Sequence, residues 1–253
     1  MSERSFHTPL PLTLEVKVPA GDVTVQTVDG EESTIVVDGD ERLVAETEVE
    51  LHGDRLVVSF SGKKPFGLTI AIGDFSFGSR GLQVRASIPH GAAAELATAS
   101  ADVKLEGRLA ALDAKTASGD VRMRGEIEGD AVVRTVSGDV HLDGVGGEVT
   151  AQTVSGDVHV GSVGGSVETK TVSGDVRFDS VRHGDASFTS VSGDVEFGIA
   201  PGSFLDVDAG SVSGDLRSDV PLASDPGGHG GDGPTVVLRG KTVSGDVKIF
   251  RGA

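Results

Sequence analysis

The sequence predicts an all-β fold: a single-stranded β-solenoid, or β-helix, of about eight coils of ~18 residues. Three observations predict it. Ser-Gly-Asp recurs with its aspartate at 120, 139, 157, 175, 194, 215 and 246, and a degenerate "ASADV" adds Asp102. The steps between these aspartates are 18, 19, 18, 18, 19, 21 and 31 residues. Val, Thr and Gly dominate the repeat and helical periodicity is weak, so the unit is strands and turns.

One repeat, "SGDVHLDGVGGEVTAQTV", shows how a coil is built. Val140 and Leu142 alternate with His141. After the turn "DGVGG", Val149, Ala151 and Thr153 alternate with Thr150 and Gln152. Alternation sends the two sets to opposite faces. Aligned on the aspartate, the repeats give inward columns. The first runs Val103, Val121, Val140, Val158, Val176, Val195, Leu216, Val247, and the second Leu105, Met123, Leu142, Val160, Phe178, Phe197, Ser218, Ile249. On the other strand Leu112, Ala131, Val149, Val167, Ala186, Val207 and Leu238 form a third. Like residues stack on like when coils pile up in register. A meander of hairpins would put equivalent strands two apart and give identity no contact to favour it. At a strand spacing of ~4.8 Å, eight coils make a rod about 38 Å long, right-handed by the general rule for crossovers.

The organisation follows. Residues 86–253 carry the repeats and read as the solenoid. Residues 1–85 are less regular and read as a β cap over one open end of the rod. The long last step contains "ASDPGGHGGDGP", residues 223–234, which reads as a loop inserted into one repeat.

Composition removes several function classes. Net charge is −17, with 39 acidic against 22 basic residues, and nucleic-acid binding needs a basic footprint. There is no cysteine for disulfides or thiolate metal ligation. No apolar run approaches a membrane span, and the start "MSERSFHTPLPLTLEVKVP" has no secretory pattern, so a cytoplasmic protein is expected. With no Trp or Tyr, only Phe could supply the stacking faces that sugar clefts usually use.

The Pro-x-Gly lead-in to a strand ("VPAGDVTV", "IPHGAAAEL", "IAPGSFLDV"), followed by reiterated Thr-x-Ser-Gly-Asp-Val, resembles a large bacterial group. These are the toast-rack domains, provisionally described as adhesins. The resemblance covers most of the chain, strongly from about residue 86. It implies a β-solenoid, no established catalytic residues, no cofactor, and links to adhesion or envelope-stress assemblies.

The aspartate column is the sharpest candidate for chemistry. A calcium ladder on Asp120, Asp139, Asp157, Asp175 and Asp194 would parallel the glycine- and aspartate-rich nonapeptide repeats. Calcium needs six to eight oxygens, however, and the opposite corner, "GVGG" or "SVGG", lacks reliable acids. Ser and Asp fixing a glycine turn through backbone N–H groups explains more. Basic residues two after each aspartate and five before it hold 9 of the 22 Lys and Arg, which suggests basic stripes flanking the acidic one. The threonine column (Thr116, Thr135, Thr153, Thr171, with Ser190, Ser211 and Thr242) shares the inward parity, so a buried hydroxyl ladder is expected rather than an ice-binding face. His141 and His159 could stack, but two ligands make no metal site. No hydroxyl, histidine and acid set stands out as a catalytic triad, and short turns enclose little.

Residues 60–80 break the pattern, with Phe66, Phe75 and Phe77 beside Lys63 and Lys64. The expectation is a plug for the solenoid end, and the rival is a basic apolar edge for a partner or a peripheral membrane contact. The sequence therefore reads as a non-catalytic scaffold or binding module for an unknown protein partner, with flat faces suited to self-assembly. The alternatives are a calcium-stabilised adhesin-like protein and a polysaccharide-acting β-helix enzyme.

Overall fold

The structure is a computed structural model, and it describes residues 1–61, 81–220 and 233–252. Its strands join in one sheet that winds on itself, with parallel pairing along the repeat. Strands Val121–Ile127, Val140–Val145, Val158–Val163, Val176–Val181 and Val195–Ile199 stack in that order on one side. Ala131–Arg134, Val149–Gln152, Val167–Lys170 and Gly184–Ser192 stack on another. The register is the one the columns predict: Val140 opposes Val158, His141 opposes His159, and Leu142 opposes Val160.

The inward columns are the core. Val121, Met123, Val158, Val160, Phe178, Val195 and Phe197 are all buried. Phe178 and Phe197 stack with ring centroids 5.0 Å apart, and Phe188 lies 5.8 Å from Phe197. In the neighbouring coil Gly240 faces Phe188, and a Cβ there would overlap the phenyl ring. A large side chain in one coil is thus matched by the smallest residue in the next, as close packing requires.

Both ends of the rod depart from sequence order. Strands Thr235–Ser244 and Val247–Arg251 lie between the 184–199 coil and strands Phe204–Ser213 and Leu216–Ser218. The last coil in sequence is therefore inside, and an earlier one forms the end. Residues 223–232 of the expected inserted loop lie outside the described residues. Composition accounts for the choice. Val236, Leu238, Val247 and Ile249 are fully buried, while the end coil presents Ser218 where apolar residues stand elsewhere. Leu216 is 42% exposed. A polar outer repeat is what a solenoid end needs.

The N-terminal end is built the same way. The long strand Thr13–Val28 pairs in parallel with Ala92–Lys115 on one side and with Arg55–Phe60 and Gln83–Pro89 on the other. It brings Asp22 into register with Asp102, so the aspartate column reaches across residue 86. Beyond it, antiparallel strands Glu32–Asp38, Ser2–His7 and Thr47–His52 close the sheet. Helix Glu41–Ala45, capped by the Asp40 carboxylate accepting the Arg42 N–H at 2.9 Å, is a local turn that the strand-dominated sequence gives little sign of. Among the described residues no helix is long and apolar enough to cross a membrane.

Candidate functional site: the repeated corner

Each letter of Thr-Val-Ser-Gly-Asp has a separate physical task. The threonine points inward and its Oγ1 accepts the N–H of the glycine three residues on: Thr116 from Gly119 at 3.1 Å, Thr135 from Gly138 at 2.9 Å, Thr153 from Gly156 at 3.0 Å. That satisfies a donor buried in the bend. Further along the rod the ladder changes. The Gly174 N–H bonds the Ser192 carbonyl at 3.3 Å and the Gly193 N–H bonds Ser244 at 3.2 Å. The buried hydroxyls of Thr171 and Ser190 then have no partner among the described residues. The expected hydroxyl ladder is thus interrupted at Thr171 and Ser190, while Ser211 and Thr242 donate to the backbone carbonyls of Gly245 and Ser244 at 3.0 and 3.4 Å.

The glycines stack backbone on backbone. A Cβ on Gly138 would overlap the Gly119 carbonyl oxygen, and one on Gly156 would overlap that of Gly138. Gly193 and Gly245 also sit at φ of +129° and +138°, which side-chained residues rarely adopt.

The aspartates tie coil to coil. Each carboxylate Oδ1 accepts the backbone N–H of the aspartate in the next coil: Asp102 from Asp120 at 3.1 Å, then Asp120 from Asp139 and Asp139 from Asp157 at 3.0 Å. Asp157 accepts from Asp175, Asp175 from Asp194 and Asp194 from Asp246 at 2.8 Å, and Asp246 from Asp215 at 2.9 Å. One oxygen of each of the five residues of the calcium reading is thus already an acceptor. Among the described residues no three His, Asp or Glu side chains gather as a metal site.

The basic stripes pair mostly elsewhere. Among the described residues only Asp120 and Asp215 in the ladder gain a cation, from Arg122 at 3.0 Å and Arg217 at 2.8 Å. Lys115 turns to Asp113 and Lys170 to Glu168 on their own strands, because residues two apart share a face. Arg177 joins Asp179 and Glu196 and lies 5.1 Å over the Phe250 ring. His141 and His159 do stack, edge to face at 4.7 Å, but each Nε2 faces a carboxylate, Asp143 at 3.3 Å and Asp179 at 2.8 Å. Partial burial pushes the Asp179 carboxyl up, while hydrogen bonds from His159 and Arg177 outweigh it and hold the group below its usual range.

The residue that the sequence reading passed over is the valine of the motif. Val136, Val154, Val172, Val191, Val243 and Val212 point outward and are between 45% and 83% exposed. They form a ridge along the corner, one per coil, with exposed serines and the aspartate ladder beside it. The signal was present: a residue between an inward threonine and a turn must face out, yet six of seven repeats place Val there. Lys63, Lys64, Phe66, Phe75 and Phe77 lie outside the described residues.

Two other places in the fold gather polar groups or open space. Thr27 Oγ1 lies 2.6 Å from His90 Nδ1, and His90 Nε2 lies 3.6 Å from Asp29, a hydroxyl, imidazole and acid in line. The hydroxyl is not a usable nucleophile. It is buried, it accepts the Arg108 N–H at 2.9 Å, and Gly107 backbone fills the space an attacked carbonyl would need. An open groove of about 550 Å³ runs along the opposite corner past Glu126, Ser162, Ser180, Arg182 and Pro201. It is shallow, and six of its thirteen lining residues are glycine or serine.

A family model described as Toastrack DUF4097 matches residues 12–250. The chain belongs to this Toastrack family. Among solved structures, the Toastrack chain is similar to a provisionally named lipid-binding protein from Parabacteroides distasonis ATCC 8503. The two are 14% identical over 97% of this chain and 96% of that one, with a TM-score of 0.58. It is also similar to provisionally named adhesins from Bacteroides fragilis NCTC 9343 and Parabacteroides merdae ATCC 43184. The first is 13% identical over 98% of this chain and 96% of that one, with a TM-score of 0.42. The second is 12% identical over 98% and 95%, with a TM-score of 0.44. At these identities the likeness concerns the fold alone. No curated protein matches the sequence.

Proposed function

We propose that this Toastrack chain is a non-catalytic binding scaffold, and that the valine ridge is its working surface. One observation carries the reading: six valines stand outward in register at a position where neither the core nor the corner's hydrogen bonds need them. Contiguous exposed apolar surface on a soluble protein marks an interaction site. The Toastrack assignment and the adhesin names given to structural neighbours accord with an adhesion or binding role. The one hydroxyl–imidazole–acid arrangement described above is blocked by backbone, which favours binding over catalysis.

The test is a triple variant, Val154→Thr, Val172→Thr, Val191→Thr, which keeps side-chain shape and removes apolar surface. Capture from lysate of the native cell should lose specific interactors relative to the parent protein, at unchanged melting temperature. Equal capture by both proteins would refute the ridge as the working surface.

A further inference from the structure

We infer that the occupant of the ridge is a second copy of this chain, packed side by side with its rod pointing the same way. The inference rests on the ridge being a binding surface and names its partner. Three columns run along the corner at the same pitch, ~4.8 Å per coil. The valine ridge is in the middle. On one side is the aspartate ladder, and on the other the outward column Lys115, Arg134, Gln152, Lys170, Thr189 and Lys241, in which Lys115, Arg134 and Lys170 are shared with Asp113 and Glu168 of their own copy. Among the described residues Asp139, Asp157, Asp175, Asp194 and Asp246 are exposed and make no ion pair.

A two-fold axis parallel to the rod sets valine against valine in the same coil. It also swaps the flanks, so each ladder faces the other copy's cationic column. Asp139 then meets Arg134 of the second copy, Asp175 meets Lys170 and Asp246 meets Lys241. Asp157 and Asp194 meet the neutral Gln152 and Thr189. Such an isologous contact forms every pair twice. An antiparallel pair would lay one acid ladder over the other. An extended peptide advances about 3.3 Å per residue and falls out of step with the coils, whereas a second copy keeps step along the whole ridge. A strip of seven positions, ~29 Å long at that pitch, is below the standard interface area, so the dimer is a weak one that forms at high concentration.

The protein has no cysteine, so single-cysteine variants report orientation cleanly. Val136→Cys and Val243→Cys, each alone under mild oxidation, should form disulfide-linked dimers at least ten times faster than the exposed opposite-corner control Ser162→Cys. In an equal mixture, with one variant carrying a mass tag, same-position dimers should dominate. Adding Val154→Thr, Val172→Thr and Val191→Thr to Val243→Cys should slow its dimerisation toward the control rate. Ridge rates equal to the control, or no slowing in the threonine background, would overturn the second copy as occupant. Mixed Val136–Val243 dimers in the majority would overturn the parallel arrangement. These outcomes leave lysate capture unaffected, so failure of the dimer and failure of the ridge are told apart.

Discussion

Replacing Asp157 separates what its carboxylate charge does from what its oxygen does. Its Oδ1 accepts the Asp175 N–H at 2.8 Å, while its own N–H goes to Asp139 and is untouched by a side-chain change. Asp157→Ala deletes one charge-assisted hydrogen bond, worth about 1.5–3 kcal/mol in general. The site is exposed and water replaces part of it, so about 1 kcal/mol is expected. In a chain of this size that lowers the melting temperature by about 2–4 °C. Asp157→Asn keeps an oxygen acceptor and removes repulsion from Asp139 and Asp175. With neighbours ~4.8 Å away, each repulsion is at most about 0.9 kcal/mol in water and less at physiological salt. The asparagine variant should therefore melt at or slightly above the parent, and the alanine variant below it. The assay is thermal and urea unfolding with chelator and with millimolar calcium. An asparagine variant as unstable as the alanine one, or a calcium-dependent rise that Asp157→Asn abolishes, would refute the structural account and revive the calcium ladder.

Other outcomes follow from the same packing. Val158→Asp buries an unpaired charge between coils and should cost about 3–5 kcal/mol, whereas His159→Asp, at the surface beside Asp179 and His141, should cost about 1 kcal/mol; equal losses in urea melts would mean the register is wrong. Gly156→Ala should destabilise far more than Ser155→Ala, because its Cβ overlaps the Gly138 backbone while Ser155 is exposed; a folded, equally stable Gly156→Ala would exclude the tight corner stack. Glu15, held by Lys17 and Arg55, has its carboxyl lowered below its ordinary 4.5. A depressed folded value stabilises above pH 4.5 and is lost as pH falls through the folded value, so Glu15→Gln should flatten the acid limb of the stability–pH curve below 4.5, and an unchanged limb would contradict the pairing.

Much of this was legible in the residues, and the rest was hidden for identifiable reasons. Alternation around each aspartate fixed the inward columns, since a strand has only two faces. The threonine-to-glycine bond is local, but turn chemistry had pointed to Ser and Asp as the residues that hold the glycine corner, and the inward threonine does it instead. The aspartate bond is not local: its donor lies a whole coil away, 18 or 19 residues along the regular repeats and 31 or 52 at the last coils, so a reading confined to one turn assigned the carboxylate to its own corner. The basic columns were visible, but not that strand alternation would hand Lys115 to Asp113 and Lys170 to Glu168. The order of coils at the ends was invisible, because every parallel coil matches any neighbour equally well. Only Ser218, a polar residue in an inward apolar column, marked 204–218 as the outside coil. Thr27 and His90 meet across 63 residues with no motif to announce it. The valine ridge was hidden by habit, since a repeated Val is ordinarily read as core.

The most direct test of the central claim is the melting temperature of the Val154→Thr, Val172→Thr, Val191→Thr variant measured where the chain is monomeric. If the ridge is surface held for a partner, three swaps that keep β-branching and let each hydroxyl reach water should together cost no more than about 1 kcal/mol, a shift within about 2–4 °C. If these valines instead pack the corner, each swap buries a hydroxyl without a partner. At about 1–3 kcal/mol apiece the melting temperature would then fall by well over 6 °C, and the ridge would be structure rather than working surface.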